Sequence, residues 1–347
     1  MIEVRTLTDG GQRGDEVMAW IGDFVGAAKR TLDFAHYDLH VGERHADTLR
    51  DAIKAAAARG VSVRFLYNID HRNPIPVPPP PEPDGDLIAS FDVPVKAIAG
   101  VPDLMHHKYV VRDGEAVWTG SMNWTDDSFE RQENVLATVQ SSDLAARFTE
   151  DFDELWNTGA VELSGTVNPS PVRVGELEVR AWFTPGYGET LSNRIGAAIA
   201  RARRRVRICS PVITAAPVLS VLAQIVSEGK LDLGGCVDQP QVRGVIYQWE
   251  QNGNVAWKLP LLERVMQGEF SGKRSEPWRP GGGLHNFMHA KVTVADDVIF
   301  LGSYNLSRSG ERNAENVLEW EDAATADRLA AYIDDVRSRY PAFAFAD

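Results

Sequence analysis

The stretch His106–Trp124, HHKYVVRDGEAVWTGSMNW, and the stretch His289–Leu306, HAKVTVADDVIFLGSYNL, decide the fold, because they carry the same residues at nearly the same spacing. The first reads His106-x-Lys108-x4-Asp113-x6-Gly120-Ser121-x-Asn123, the second His289-x-Lys291-x4-Asp296-x5-Gly302-Ser303-x-Asn305. Six fixed residues at roughly one in twenty each coincide about 10⁻⁸ times per starting point by composition alone, so the second copy implies a duplication. KYVVRD and KVTVAD alternate as strands do, which puts each His and the Lys two residues on upon one face. AVWTGS and VIFLGS read as the next strand of a hairpin that sets Ser and Asn beside His and Lys. Gly120 and Gly302 leave room for close backbone approach. Asp113 and Asp296 fall at the hairpin turns and read as structural.

Outward from the motifs, the halves keep matching. IEVRTLTDGG (2–11) answers LEVRAWFTPG (177–186), and VMAWIGDFVGAAKRTLDFAHYDL answers LSNRIGAAIARARRRVRICSPVI, each an amphipathic helix entering an apolar strand. ADTLRDAIKAAAARGVSVRFLYN adds a helix and a strand, with a looser counterpart in APVLSVLAQIVSEG and a strand expected at VRGVIYQ (242–248). Each half closes on a helix, SDLAARFTEDFDELW and ATADRLAAYIDDVRSRY. Helices alternating with apolar strands predict α/β architecture: two pseudo-symmetric α/β/α sandwich domains, over 1–160 and 176–347, joined by a linker at 157–175, with one active site shared at their interface. Such a chain completes its site as a monomer, and a monomer is expected.

Two stretches break the symmetry. NPIPVPPPPEP (73–83) reads as an extended, polyproline-like loop near the mouth of the site. The insert Tyr247–Phe287, with three Trp residues, Lys273, Arg274, Arg279 and Gly281–Gly283, reads as a rim or lid that helps choose the substrate.

The bulk composition narrows the setting. At 44% hydrophobic and 24% charged residues, the chain can bury a sizeable core. Its start shows no secretory leader, and nowhere do about 18 apolar residues run together, so no membrane span is expected. Two cysteines, Cys209 and Cys236, make no disulfide framework, and a reducing cytoplasm is the expected location. The net charge of −13 lies wholly in the first half: through residue 165 there are 15 Lys and Arg against 28 Asp and Glu, and from 166 onward 21 against 21. A field of that sign repels polyanions and anionic bilayers, so any phosphate-bearing substrate must be held by local positive groups.

Joined across the pseudo-two-fold, the motifs offer two imidazoles, two ammonium groups, two hydroxyls and two carboxamides. That set suits a phosphodiester. Lys108 and Lys291 supply charge, and Ser121, Asn123, Ser303 and Asn305 supply directed hydrogen bonds to the substrate. No Cys/His or carboxylate cluster has metal-ligand spacing, so the lysines stand in for a metal's charge and no cofactor is expected. One neutral His attacks phosphorus while the other, protonated, gives its proton to the leaving oxygen and then activates water or an alcohol. A nucleophilic imidazole needs its other nitrogen held. Glu133 in RQENVLA and Glu315 in NAENVLE, repeated in register, are each expected to accept from a motif histidine.

These residues resemble the phospholipase D superfamily, whose mark is HxK…D…GSxN, and the likeness covers both halves apart from the insert and the proline loop. FTPG and GSMNWT…ENVLAT are also similar to that superfamily, the latter most to its small nuclease-type members. The resemblance implies two α/β/α sandwiches side by side, a metal-independent shared site, His106 as nucleophile and His289 as acid and base. Members of such a family cleave phospholipids, exchange head groups, build cardiolipin or cut nucleic acids. A phospholipase D-type hydrolase or head-group transferase would meet acyl chains with Trp257, Trp278 and Phe287. A nuclease would use RARRRVR (201–207) and Lys273–Arg279 as a phosphate track. A catalytically silent phosphate-binding module is the third reading, disfavoured because both motifs are complete.

Overall fold

The computed structural model describes residues 1–70, 82–276 and 283–345. Most of the proline-rich stretch, together with Trp278, Arg279 and Gly281–Gly282, lies outside the described residues.

The first half runs β1 (Ile2–Leu7), α1 (Gly14–Gly26), β2 (Thr31–His36), β3 (Leu39–His40), α2 (Glu43–Ala58), β4 (Ser62–Ile69), α3 (Gly85–Ala89), β5 (Val95–Ala99), β6 (Lys108–Arg112), β7 (Ala116–Gly120), β8 (Trp124–Thr125), α4 (Asp126–Glu130), β9 (Asn134–Gln140) and α5 (Ser142–Thr158). The second runs β10 (Val172–Val174), β11 (Leu177–Thr184), α6 (Gly188–Arg201), β12 (Arg205–Cys209), α7 (Ala216–Glu228), β13 (Asp232–Asp238), α8 (Gln239–Gln251), α9 (Leu259–Met266), β14 (Phe270–Lys273), β15 (Val292–Ala295), β16 (Val298–Gly302), α10 (Arg308–Arg312), β17 (Glu315–Glu321) and α11 (Ala323–Arg339). Between the halves, Asn157 and Thr158 complete α5, Val161–Leu163 make one 3-10 turn, and β10 is already the outer strand of the second sheet.

The strand order is β1-β9-β7-β6-β2-β4-β5 in one sheet and β10-β11-β17-β16-β15-β12-β13-β14 in the other. Apart from β10 the two orders correspond strand for strand, and both sheets are mixed: β2, β4 and β5 are parallel, as are β12, β13 and β14, while the motif hairpins are antiparallel. The α/β fold with two such halves is therefore as the sequence implies.

Outer helices cover each sheet on one side, around Ile21, Phe34 and Phe65 in the first half and Leu222, Ile208 and Val265 in the second. A third core lies between the sheets and mixes both halves. Its makers are the closing helices. On α5 the residues Leu144, Phe148, Phe152 and Leu155 recur at helical spacing and are buried. Ser141 caps its start, accepting from Leu144 N, and Gly159 ends it at φ 71°. Phe148 meets Tyr109 of its own half edge-on at 5.1 Å and Phe183 of the other half at 5.0 Å. From α11, Tyr332 donates its hydroxyl to the carbonyl of Leu7 at 2.8 Å. Burying one such aromatic is worth about 1.5–3 kcal/mol, so the interface between halves is core, and a site built across it is rigid.

Three segments differ from the sequence expectation. Val242–Gln248 lies in helix α8, not in a strand; the strand is Asp232–Asp238 just before it. Asp238 caps that helix, accepting from Gln241 N, and Pro240 sits in its first turn, a start signal that outweighs the β-branched run. The insert is not simply a lid: it contains the end of α8, then α9 and the edge strand β14. The edge strands β5 and β14, VKAIA and FSGK, are too short for a periodic signal.

Candidate active site

Each motif strand reaches across to the other half. His106 N donates to the carbonyl of Ala314 at 2.9 Å, and His289 N donates to the carbonyl of Glu133 at 3.2 Å. These links bring the two HxK segments into one place. His106 and His289 keep only 6% and 4% of their surface exposed, and Lys108 and Lys291 are buried beside them. Lys108 Nζ donates to the carbonyl of His106 at 2.7 Å, and Lys291 Nζ to that of His289 at 2.8 Å. The equivalence of the two contacts is the duplication seen at atomic scale.

The charges interact. Burial, then Lys108 and Lys291, holds His106 well below the usual imidazole range. Burial, Lys291, Lys108 and His106 do the same to His289. Burial pushes Lys108 down to about 7, opposed by Glu315 and Asp38, and burial with the help of Lys108 holds Lys291 well below the usual ammonium range. An arriving anion would relieve this crowding of cations, so the site is suited to take up negative charge.

The orienting partners break the symmetry. His106 Nδ1 lies 2.7 Å from Glu315 Oε2, and Glu315 is completely buried. Burial raises its carboxyl to about 7 against the pull of Lys108. Glu133 does not meet His289. Its carboxylate takes Lys273 Nζ at 2.8 Å and the Tyr340 hydroxyl, and Lys273 also reaches Asp9 at 3.1 Å. The expectation of a second carboxylate–histidine pair is thereby corrected: His289 Nδ1 lies 3.1 Å from Asn134 Oδ1. The cause is register. Gly120 pairs with Leu136, whereas Gly302 pairs with Val317; Ser121 N donates to Val135 O, but Ser303 N donates to Asn316 O. Asn134, not Glu133, thus occupies the place of Glu315, and a one-residue slip turns a side chain to the opposite face.

The other motif residues fall as follows. Ser121 Oγ donates to Asn134 Oδ1 at 2.8 Å and accepts from Val135 N, while Ser303 Oγ accepts from Asn316 N at 3.0 Å. Both serines are fully buried and clip the motif loops to the neighbouring strands. Asn123 and Asn305 each hold a buried Oδ1 without a partner. A Cβ on Gly120 would stand 2.3 Å from Val135 O, and one on Gly302 2.0 Å from Asn316 O, so both glycines serve close approach. Asp113 accepts from the amides of Lys29, Arg30 and Thr31, and Asp296 from those of Arg203, Arg204 and Arg205. Burial raises these two carboxyls, but the backbone donors prevail and hold them below the usual range. They pin the hairpin turns to the starts of β2 and β12, away from the histidines.

Sequence reasoning did not single out Tyr37, whose ring lies 4.6 Å from that of His106 and 4.7 Å from Lys108 Nζ. Phe287 stacks on His289 at 5.1 Å. Among the described residues, no three His, Cys, Asp or Glu side chains converge as a metal site.

A family model described as "Cardiolipin synthase, PLD-like domain" matches residues 21–156 and again 195–337. The chain belongs to the phospholipase D superfamily. Among characterised relatives, the mitochondrial cardiolipin hydrolase of Chlamydomonas reinhardtii is 26% identical over 135 residues, 39% of this chain and 55% of that protein. The Xenopus laevis protein of that name is 43% identical over 53 residues, 15% of this chain and 25% of that protein. The chain thus spans about half, or less, of the relatives it matches. The phosphatidylserine synthase of Haemophilus influenzae Rd KW20 superposes with a TM-score of 0.62 over 97% of this chain and 85% of that one, at 16% identity, which shows the shared fold. Within this phospholipase D fold, no helix among the described residues is long and apolar enough to cross a membrane.

Proposed function

We propose that the chain is a metal-independent phosphodiesterase that works through a covalent phosphohistidine, with phospholipid as substrate. The observation that carries the reading is the buried Glu315 on His106 Nδ1 at 2.7 Å, which fixes the proton on Nδ1 and leaves Nε2 with a free lone pair. His106 Nε2 attacks phosphorus. The leaving alkoxide takes the proton of His289, whose pKa the bound phosphate raises. His289 then takes a proton from water, the oxygen attacks phosphorus, and the N–P bond breaks to return His106. An acceptor alcohol in place of water would give head-group transfer. Lys108, Lys291, Asn123 and Asn305 hold the non-bridging oxygens.

Lipid is favoured over nucleic acid by the fate of the basic residues. In the 201–207 stretch, Arg204 pairs with Asp297, Arg205 with Asp327, and Arg207 with Asp232 and Asp334. Lys273, expected on a phosphate track, is buried on Glu133. A strand of phosphates therefore finds few free cations there. Trp257 and Tyr247 meanwhile stand 55% and 56% exposed, as side chains meeting a lipid interface do.

The test is one assay in EDTA with phosphatidylcholine micelles, single-stranded DNA and an aryl phosphodiester, followed by acid-free trapping of the labelled enzyme. Choline release with label on wild type and none on His106→Asn is the expected result. Cleavage of DNA alone would move the assignment to a nuclease, and activity that EDTA abolishes would overturn the mechanism.

A further inference from the structure

In a duplicated enzyme, equivalent residues serve the phosphate common to both sides, and non-equivalent ones meet the two different ester arms. Asp113 N donates to Thr31 O, and Asp296 N to Arg205 O, which makes Thr31 and Arg205 equivalent. Counting along the two strands, Tyr37 matches Pro211 and Asp38 matches Val212.

Asp38 belongs to the site by its neighbours. Tyr37 lies on His106, and the carbonyl of Asp38 accepts from Trp124 N at 3.1 Å, next to Asn123. Asp38 is 7% exposed, and its Oδ1 is buried without a hydrogen-bond partner. No cation lies within ion-pair distance of it among the described residues, although the buried Lys108 is near enough to oppose the rise that burial gives its carboxyl, to about 7. Asp127, raised by burial, adds negative potential from the β8–α4 side, where its carboxylate accepts from His285 N at 2.8 Å. A buried carboxylate oxygen with no partner costs free energy unless something arrives to pair with it.

The opposite flank has no carboxylate at the matching position. Val212 replaces the carboxylate, and the exposed Trp257 is held to the rim through Lys258, whose Nζ donates to Thr214 O at 3.2 Å, while Thr214 N donates to Leu306 O beside Asn305.

Resting on the phosphodiesterase reading above, we propose that Asp38, backed by Asp127, forms an anionic subsite that selects phosphodiesters with an ammonium group on one alcohol arm. The arm without charge lies toward Val212 and Trp257.

The test changes only the charge on one arm and counts release of either alcohol, so cleavage is seen whichever arm leaves. 4-Nitrophenyl phosphocholine is compared with its uncharged isostere, 4-nitrophenyl 3,3-dimethylbutyl phosphate, on wild type, Asp38→Asn and Asp38→Val, with thermal melting to verify folding. The expected result is a preference of about tenfold or more for the cationic ester in kcat/KM, residing in KM, as one charge-assisted contact supplies. Both variants reduce that ratio to about threefold or less. Equal turnover of the two esters by wild type, or a ratio that survives in both variants, overturns the subsite and leaves the phosphodiesterase reading standing. Failure of wild type to cut either ester overturns both.

Discussion

Replacing Glu315 by Gln separates catalysis from stability. The carboxylate is fully buried and lies 2.7 Å from His106 Nδ1. A charge-assisted hydrogen bond is worth about 1.5–3 kcal/mol, or about 10- to 150-fold in rate if it is needed in the transition state. The amide can also present its NH₂ to Nδ1 and invert the tautomer, and an orienting carboxylate replaced in that way costs up to about 10⁴. The expected fall in kcat is thus about 10² to 10⁴. Stability moves the other way. The folded carboxyl lies at about 7 against 4.5 for the free group, so the native state binds the proton more tightly than the unfolded chain. That contribution is full below the unfolded value and is lost as pH rises from 4.5 to 7. It amounts to something on the order of 3 kcal/mol. Denaturant unfolding of both proteins at pH 4 and pH 8, with kcat at each, measures the pair of effects. The wild-type advantage in stability should shrink or reverse toward pH 8. A variant within about threefold of wild-type kcat would refute the orienting role, and a wild-type advantage that grows with pH would refute the burial argument.

Three further outcomes follow from the same geometry. Asn134→Asp gives His289 a carboxylate partner at the present 3.1 Å, and the basic limb of the kcat–pH profile should move up by about one unit or more. Lys273→Met strands the fully buried Glu133, and urea unfolding should report a loss of about 3–5 kcal/mol. Gly302→Ala drives a Cβ to 2.0 Å from Asn316 O; a stability loss of about 1–3 kcal/mol is expected, together with lower kcat, because the displaced strand carries Glu315.

The duplication, the hairpins and the histidine–lysine faces were legible because they rest on period-two alternation and fixed spacing. His106, Lys108, His289 and Lys291 converge for that reason. What was illegible depends on how strands from distant parts of the chain line up. ENV occurs in both halves, 12 residues after the motif serine each time, so nothing local distinguishes Glu133 from Glu315. Only the pairing of β7 with β9 against that of β16 with β17 shows the slip. Lys273 is similar: on an exposed insert it reads as a free cation, and only the edge strand β14 reveals that it is an internal counter-charge. Helix α8 carries its start signal openly in Asp238 and Pro240, while the run VIY within it has the local signature of a strand.

The slip bears on why a duplicated site can work at all. Identical histidines in identical surroundings would hold a shared proton equally well, yet in-line displacement needs one fixed partner neutral and the other protonated. Both imidazoles feel the same two lysines and the same burial, so the common environment cannot tell them apart. Their Nδ1 partners can. In the proposed mechanism, the buried carboxylate of Glu315 holds His106 in the tautomer that exposes Nε2 and would stabilise the positive charge that grows on the ring as an N–P bond forms. A neutral carboxamide holds His289 in place without that charge, so in the same proposal its acidic proton would be given up more readily to the leaving oxygen. In the proposed mechanism, a change of one residue in strand register thus gives two equivalent histidines the separate roles of nucleophile and acid. Placing a carboxylate at Asn134 restores the symmetry, and the displaced pH profile of that variant is its direct consequence.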